Sequence, residues 1–107
     1  MNESYALTEA VYYILLSLCT PQHGYGIMQQ AERMSNGRVR LAAGTLYGAL
    51  NNLCSKKWIE ALPEESGSRK KEYQITEMGR EILELELNRL RQLVSNGEEI
   101  LGGESHE

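Results

Sequence analysis

The side chains best suited to hold a polyanion lie in the middle third of the sequence. Residues 33–71 contain eight Lys or Arg and three Glu, whereas residues 1–32 contain no base and residues 72–107 contain nine Glu and three Arg. The net charge of −4 therefore conceals a middle segment of charge +5. Because salt screens charges beyond roughly 8 to 10 Å, a phosphate backbone at close range would respond to that segment and not to the net charge.

Three consecutive bases, Arg69, Lys70 and Lys71, end a stretch rich in Pro, Gly and Ser over residues 63–70. Such a stretch between two strand-like runs predicts a hairpin loop. Neutralising phosphates releases counterions from DNA, so a basic hairpin arm is suited to contact phosphates or the minor groove. An ordinary solvated loop is the other interpretation, but three adjacent bases in a chain with few bases favour DNA.

A predicted helix over residues 44–57 provides a second surface of interest. Its residues Leu46, Leu50 and Leu53 recur at i, i+4 and i+7, which predicts one buried face. The opposite face is small and polar and carries no charge, unlike the Glu and Lys of an ordinary solvated helix. Its residues are Gly44, Gly48, Asn51, Asn52 and Ser55.

Thr45, Tyr47 and Asn51 are the side chains of this helix that we expect to enter a DNA groove. Hydroxyl groups fix the register on the backbone, and Asn can pair bidentately with adenine. Two alternatives remain open for single residues: Tyr47 as an aromatic at the edge of the core, and Asn51 as a solvated side chain. A third alternative is that the whole uncharged face docks on a protein.

The remaining patterns predict the elements that position these side chains. Thr8 is expected to cap a first helix, and Asn36-Gly37 to close a second one. The alternation in residues 38–41 predicts a short strand that exposes Arg38 and Arg40. Two strand-like runs over residues 58–62 and 71–75 predict a hairpin, here called the wing.

A long helix is predicted from its cap at Thr76 to about Asn96, with Gly97 as its stop. Its leucines repeat at heptad-like spacing beside a second stripe of Met78, Ile82 and Leu85, and one small domain cannot easily cover both stripes. We therefore expect a homodimer, although coverage of the domain's own core is the alternative. The predicted interface residues are Ile82, Leu83, Leu87, Leu90 and Val94.

Several classes of function are disfavoured. The histidines His23 and His106 lie in a predicted loop and in the tail, and no nucleophile or acid–base pair accompanies them, so we expect no enzyme, cofactor or metal. Cys19 and Cys54 lack metal-site or redox spacing and are expected to be structural thiols. No run of 18 apolar residues occurs, which predicts a cytoplasmic protein without a membrane span.

Four motifs over residues 7–80 resemble the PadR family of transcriptional regulators. In chain order they are Leu7-Thr8-Glu9-Ala10, His23-Gly24-Tyr25-Gly26-Ile27, Gly44-Thr45-Leu46-Tyr47-Gly48-Ala49-Leu50 and Ser68-Arg69-Lys70-Lys71-Glu72-Tyr73. Two positions where members usually have proline hold Ala43 and Gly48. The resemblance implies a mainly α fold with a small β-hairpin wing: a winged helix-turn-helix over residues 1–75 and a dimerisation helix over 76–101. Residues 102–107 are Gly-rich and acidic, which predicts a disordered tail.

The resemblance also implies a function. A homodimer built on a single C-terminal helix would place two recognition helices about 34 Å apart on double-stranded DNA, which predicts repression at an inverted repeat. Tyr25 is a further phosphate candidate by the same resemblance. Some relatives hold flat apolar molecules at the dimer interface, so Tyr12 and Tyr13 are candidates for the pocket of a small hydrophobic or aromatic effector, with plain core packing as the alternative.

Overall fold

The computed structural model describes residues 6–64 and 70–102. The described part is mainly helical with one small sheet, as predicted. The elements in chain order are α1 (Glu9–Ser17), β1 (Gln22–His23), α2 (Gly24–Met34), α3 (Ala43–Ser55), β2 (Ile59–Ala61), β3 (Glu72–Ile75), α4 (Glu77–Gly97) and a π-helical turn (Glu98–Gly102).

Side-chain caps begin three of the four helices. The hydroxyl of Thr8 accepts the N–H of Val11 at 3.1 Å, and that of Thr76 accepts the N–H of Gly79 at 3.1 Å, which confirms both predicted caps. The third cap is His23, whose Nδ1 accepts the N–H of Gly26 at 3.2 Å. Each cap satisfies a donor that the first helical turn leaves unpaired, and is worth about 1 kcal/mol. α3 starts after Ala42 without a side-chain cap.

The sheet corrects one prediction. Its strand order is β1-β3-β2, entirely antiparallel, and Gln22 lies opposite Tyr73 in the pair that the sequence patterns missed. Residues 38–41, predicted as a strand, form none, because the N–H of Val39 is held by the hydroxyl of Ser35 at 2.8 Å. The preceding turn is as predicted, since Asn36 and Gly37 adopt φ values of 54° and 84° and close α2.

The core lies between α1, α2, α3, the first turns of α4 and the sheet. Burying one side chain of the size of leucine or isoleucine in this core stabilises the fold by roughly 1.5–3 kcal/mol. The thiols of Cys19 and Cys54 are free and partly buried against this core. Its buried members are Ile14, Leu15, Leu18, Ile27, Leu46, Leu50, Leu53, Trp58, Ile59, Tyr73, Ile75, Ile82 and Leu83.

The start of α4 is fastened to the base of the wing. Thr76 donates its hydroxyl to the carbonyl oxygen of Lys57 at 2.7 Å and its N–H to that of Trp58 at 2.9 Å. Gly79 approaches the same carbonyl of Trp58 so closely that a Cβ would overlap it. The first turns of α4 are therefore held against the domain by backbone contacts as well as by apolar packing.

The rest of α4 projects from the domain. Its last buried residue is Glu86, and residues 91–101 are all exposed. The prediction that Gly97 stops the helix is wrong in one respect: the chain continues through Glu98 in right-handed helical geometry and adds the π-helical turn. Of the predicted acidic tail, residues 103–107 lie outside the described residues, whereas Gly102 belongs to the π-helical turn.

Candidate nucleic-acid interface

The outer face of α3 is open and carries no charge. Thr45, Asn51 and Asn52 are exposed, and a Cβ built on Gly44 or Gly48 would meet no atom within 4 Å. The buried face is formed by Leu46, Leu50 and Leu53, as the periodicity predicted. The two glycines leave a shallow strip along the helix, so that a duplex could approach its backbone between Thr45 and Asn51.

Tyr47 lies on the flank of α3 against the first turn of α2. A Cβ on Gly24 would overlap the Tyr47 hydroxyl and lie 2.8 Å from its Cζ, so only glycine leaves room for this ring. The side chain is nonetheless 44% exposed. Tyr47 thus joins the two helices and still presents one face outward, which combines features of both interpretations considered for it.

Tyr25, on the first turn of α2, is 62% exposed. It borders a surface cavity of about 330 Å³ that also contacts Arg40 and Glu32. The Arg40 Nε lies 3.5 Å from a Glu32 carboxylate oxygen, and Arg38 forms an ion pair with Glu9. Both arginines are exposed as predicted, although they lie in a loop and not on a strand edge.

The wing is described on both sides of its tip. Lys70 and Lys71 are exposed, whereas Arg69 lies outside the described residues. The Lys71 Nζ lies 6.0 Å from the ring centre of Tyr73. Burial of Tyr73 raises the pKa of its phenol, with smaller contributions from Cys54 and Tyr47, so this residue stays a neutral part of the wing base.

Two further bases lie where α3 ends. Lys56 and Lys57 are exposed, and the Lys56 Nζ lies 4.6 Å above the ring of Trp58 in a cation–π contact. Lys56 was not predicted as a site residue. The sequence shows a base two residues before the chain's single Trp, but the contact depends on the turn at Lys57, whose φ is 65°.

A second candidate site lies between α1 and α4. Tyr12 and Tyr13 meet edge to face with ring centres 6.1 Å apart, beside a cavity of about 280 Å³. The cavity is also lined by Glu86, a buried carboxylate that sequence analysis missed. Its signal was a Glu within the apolar stripe, three residues before Arg89. The full lining is Leu7, Glu9, Tyr12, Tyr13, Glu86, Arg89 and Leu90.

The predicted dimer residues divide into two groups. Ile82 and Leu83 are buried in the core of their own domain, which leaves them little surface for a partner. Leu87 and Val94 are exposed, the latter at 58%, and Leu90 is partly exposed. The unpartnered part of the seam is therefore its C-terminal half.

The described residues contain neither a metal-binding cluster nor a membrane-spanning helix. Within residues 6–64 and 70–102, no three His, Cys, Asp or Glu side chains are grouped so that they could hold a metal ion. Over the same ranges, no helix combines the length and apolar character needed to cross a membrane.

Solved structures share this fold. A PadR-like transcriptional regulator from Bacillus cereus matches with a TM-score of 0.70 and 21% identity, over 87% of this chain and 89% of that one. A PadR family regulator from Clostridium difficile matches at 0.69 and 23%, over 85% and 97%. Bacillus subtilis PadR, solved in complex with operator DNA, matches at 0.57 and 22%, over 69% and 44%.

Sequence comparison agrees with the structural neighbours. An uncharacterised 37.1 kDa protein in transposon Tn4556 of Streptomyces fradiae is 40% identical over 83 residues, which is 74% of this chain but only 23% of that protein. The sequence model of the transcriptional regulator PadR-like family matches residues 13–85. That match runs from the middle of α1 through α2, α3 and the wing to residue 85 of α4, and the chain therefore belongs to the PadR-like family of transcriptional regulators, which are not enzymes.

Proposed function

We propose that this chain is a DNA-binding repressor that acts as a homodimer on an inverted repeat. The observation that carries the proposal is the outer face of α3, which is open, uncharged and followed in the chain by the basic wing. Thr45, Tyr47 and Asn51 enter the major groove, and Tyr25 contacts a phosphate beside it. Arg69, Lys70 and Lys71 neutralise phosphates at the wing.

Fluorescence anisotropy with a random duplex pool, measured over a salt series, tests this proposal. Reversing the three wing bases to Glu should remove about three phosphate contacts and lower the slope of log K against log salt by about 3. Lys71→Glu alone should lower it by about 1, whereas Arg80→Glu, an equal charge reversal at an exposed position of α4, should leave it unchanged. Absence of binding at low salt by the folded wild-type chain would contradict the proposal.

A protein-docking role for α3 is the second candidate, and its supporting observation is the absence of charge from the outer face of the helix. The wing variants separate the two functions. Charge reversal at Lys70 and Lys71 would weaken DNA binding, but it would leave a protein contact on the uncharged face of α3 largely intact.

The second copy binds along the exposed part of α4. Leu87, Leu90 and Val94 repeat at intervals of three and four residues, and such a stripe pairs two helices by interlocking side chains. Ile82 and Leu83 support this seam from inside each domain. Pairing of two identical faces around a twofold axis would place the two α3 helices on successive turns of the major groove, about 34 Å apart.

A small hydrophobic or aromatic effector would bind in the cavity beside Tyr12 and Tyr13. The cavity volume of about 280 Å³ is near the lower limit of ordinary ligand sites. An effector there would contact both α1 and α4, and would relieve repression by changing the angle between them. Tyr12→Ala should weaken binding of a fluorescent apolar dye more than Tyr25→Ala, a change at a tyrosine that borders a different cavity.

A further inference from the structure

Glu86 is the only charged side chain that is buried within residues 6–64 and 70–102, at 2% exposure. Its two oxygens accept the Nε–H and Nη2–H of Arg89, each at 2.7 Å. One of the same oxygens accepts the backbone N–H of Leu7 at 3.1 Å. The carboxylate therefore joins α4 to the segment that precedes α1, 79 residues away in sequence.

Stability alone gives little reason for a carboxylate at this position. A buried ion pair loses on desolvation much of what it gains by attraction, and apolar residues of similar volume often replace such pairs without loss. Leucine would also continue the apolar stripe of Ile82, Leu83 and Leu90. Unlike the apolar contacts of a leucine, the hydrogen bonds of a carboxylate depend on direction. They form at one arrangement of Leu7, Glu86 and Arg89 and are lost at others.

The hydrogen bonds of Glu86 lie where α4 leaves the domain, so a small rotation there displaces the far end of the helix by several ångströms. Glu86 is the last buried residue before the helix projects from the domain. Fifteen helical residues separate it from Leu101, a length of about 22 Å, so a rotation of about 10° at Glu86 would move the far end by about 4 Å. That displacement is close to the rise of roughly 3.4 Å between successive base pairs.

We propose that Glu86 is a positioning residue, which sets the angle between α4 and the DNA-binding domain and thereby the half-site spacing that the dimer accepts. This inference rests on the proposed function as a DNA-binding homodimer. In this role the carboxylate acts through Leu7, which it holds against α4, and through Arg89, which completes its hydrogen bonds.

The test uses the half-site that the wild-type protein selects from a random duplex pool. Paired copies of this half-site are separated by the selected spacer or by one or two base pairs more or fewer, and affinities are measured by anisotropy. In the wild-type protein the selected spacing should be preferred. In Glu86→Leu, which keeps the apolar packing but removes the link, that preference should fall by about fivefold or more, since half-site separation is set by dimer geometry.

Two further variants control for charge and for folding. Glu84→Gln, which removes an exposed carboxylate from the same helix, should reproduce the wild-type spacing profile. Glu86→Gln keeps an acceptor for the N–H of Leu7 and should lie between wild type and Glu86→Leu. If Glu86→Leu does not fold, as judged by circular dichroism, a spacing profile of Glu86→Gln identical to wild type overturns the proposal.

A measurement without DNA separates positioning from stability. Amide residual dipolar couplings report the orientation of α4 relative to α1–α3, and in Glu86→Leu those of α4 should no longer fit the orientation of the domain. Unchanged couplings, an unchanged spacing profile, or an equal loss of affinity at every spacing would each overturn the positioning role. A wild-type chain that selects no paired site would overturn the proposed function as well. The wild-type measurement alone shows this result, so it is distinguishable from failure of the positioning role, which appears only in the variants.

Discussion

The two halves of α4 are built from similar residues but have different surroundings. Residues 77–86 bury Ile82, Leu83 and Glu86 against the domain that contains them. Residues 87–102 carry leucines, a valine and an isoleucine at comparable spacing, and Leu101 is 68% exposed. The comparison shows that helical periodicity identifies an apolar face, whereas the extent of the domain decides whether its own core or a second chain covers that face.

The largest expected effect distinguishes two leucines four residues apart. Leu83→Ala should lower the free energy of unfolding by about 2–5 kcal/mol, because it opens a cavity in the core. Leu87→Ala should change it by only about 1 kcal/mol or less in the monomer, because Leu87 is 37% exposed and lies outside the buried core. Urea denaturation followed by the fluorescence of Trp58 measures both, at a concentration too low for association. Equal losses would show that the two halves do not differ.

Substitutions at the exposed residues Leu87 and Val94 should affect dimerisation rather than the stability of the domain. Leu87→Glu combined with Val94→Glu should raise the dissociation constant of the proposed dimer by about 100-fold, because each chain would have to bury two charges at the seam. The thermal midpoint of the domain at low concentration should stay the same. Leu85→Glu, at a position of the second stripe that is 50% exposed, is the control, and sedimentation velocity is the measurement. Stronger dissociation by Leu85→Glu would assign the seam to the other stripe.

Substituting Gly79 and Gly97, one in each half of α4, should change the stability by smaller amounts and in opposite directions. Gly79→Ala should cost about 1–3 kcal/mol, since its Cβ would overlap the carbonyl oxygen of Trp58 at the base of the wing. Gly97→Ala, where a Cβ would meet nothing within 4 Å, should stabilise the helix by about 0.5–1 kcal/mol. Thermal unfolding of the two variants gives both signs. Stabilisation by Gly79→Ala would show that α4 does not contact the wing as described.

The smallest effect concerns pH. The hydrogen bonds from Arg89 lower the pKa of Glu86 below its ordinary value of 4.5, with burial opposing them and the N–H of Leu7 adding to them. A lowered folded-state pKa means that the stabilisation is complete above the unfolded-state pKa and is lost as the pH falls through the folded-state pKa.

Wild-type stability should therefore decline more steeply below about pH 4.5 than that of Glu86→Gln. Glu9, the other acid of the same cavity, is paired with Arg38 and is unchanged in both proteins. Urea denaturation at a series of pH values measures the difference. Parallel pH dependence of the two proteins would show that Glu86 does not lose its partners on protonation.

Sequence patterns predicted the local features of this chain better than its pairings. Thr8 and Thr76 cap their helices, and Asn36-Gly37 closes α2, because a cap or a left-handed turn depends on a few adjacent residues. The third strand was misplaced because Gln22 and His23 show no alternation that could reveal a strand of two residues. Residues 38–41 do alternate, but their partners are Glu9, Glu32 and Ser35 rather than a strand.

In the candidate sites too, features that depend on neighbouring residues were predicted, and features that depend on distant residues were missed. The uncharged face of α3 was visible from spacing alone, since helical geometry dictates which residues share a face. The packing of Tyr47 on Gly24 and the bonds of Glu86 to Leu7 were not, because they join residues that are far apart in sequence. The likeness of the four motifs to a known family added Tyr25 and the candidate effector pocket beside Tyr12 and Tyr13 to what periodicity could indicate.

By itself, the sequence determined where the helices begin, which face of each is apolar, and where positive charge accumulates. These properties depend on neighbouring residues and on the 3.6-residue repeat. Only the tertiary structure decided that Ile82 and Leu83 belong to the domain while Leu87 and Val94 remain uncovered, and that one carboxylate of the stripe is buried. The physical reason is that burial depends on which distant segments pack against a residue, and neither periodicity nor residue type specifies those segments.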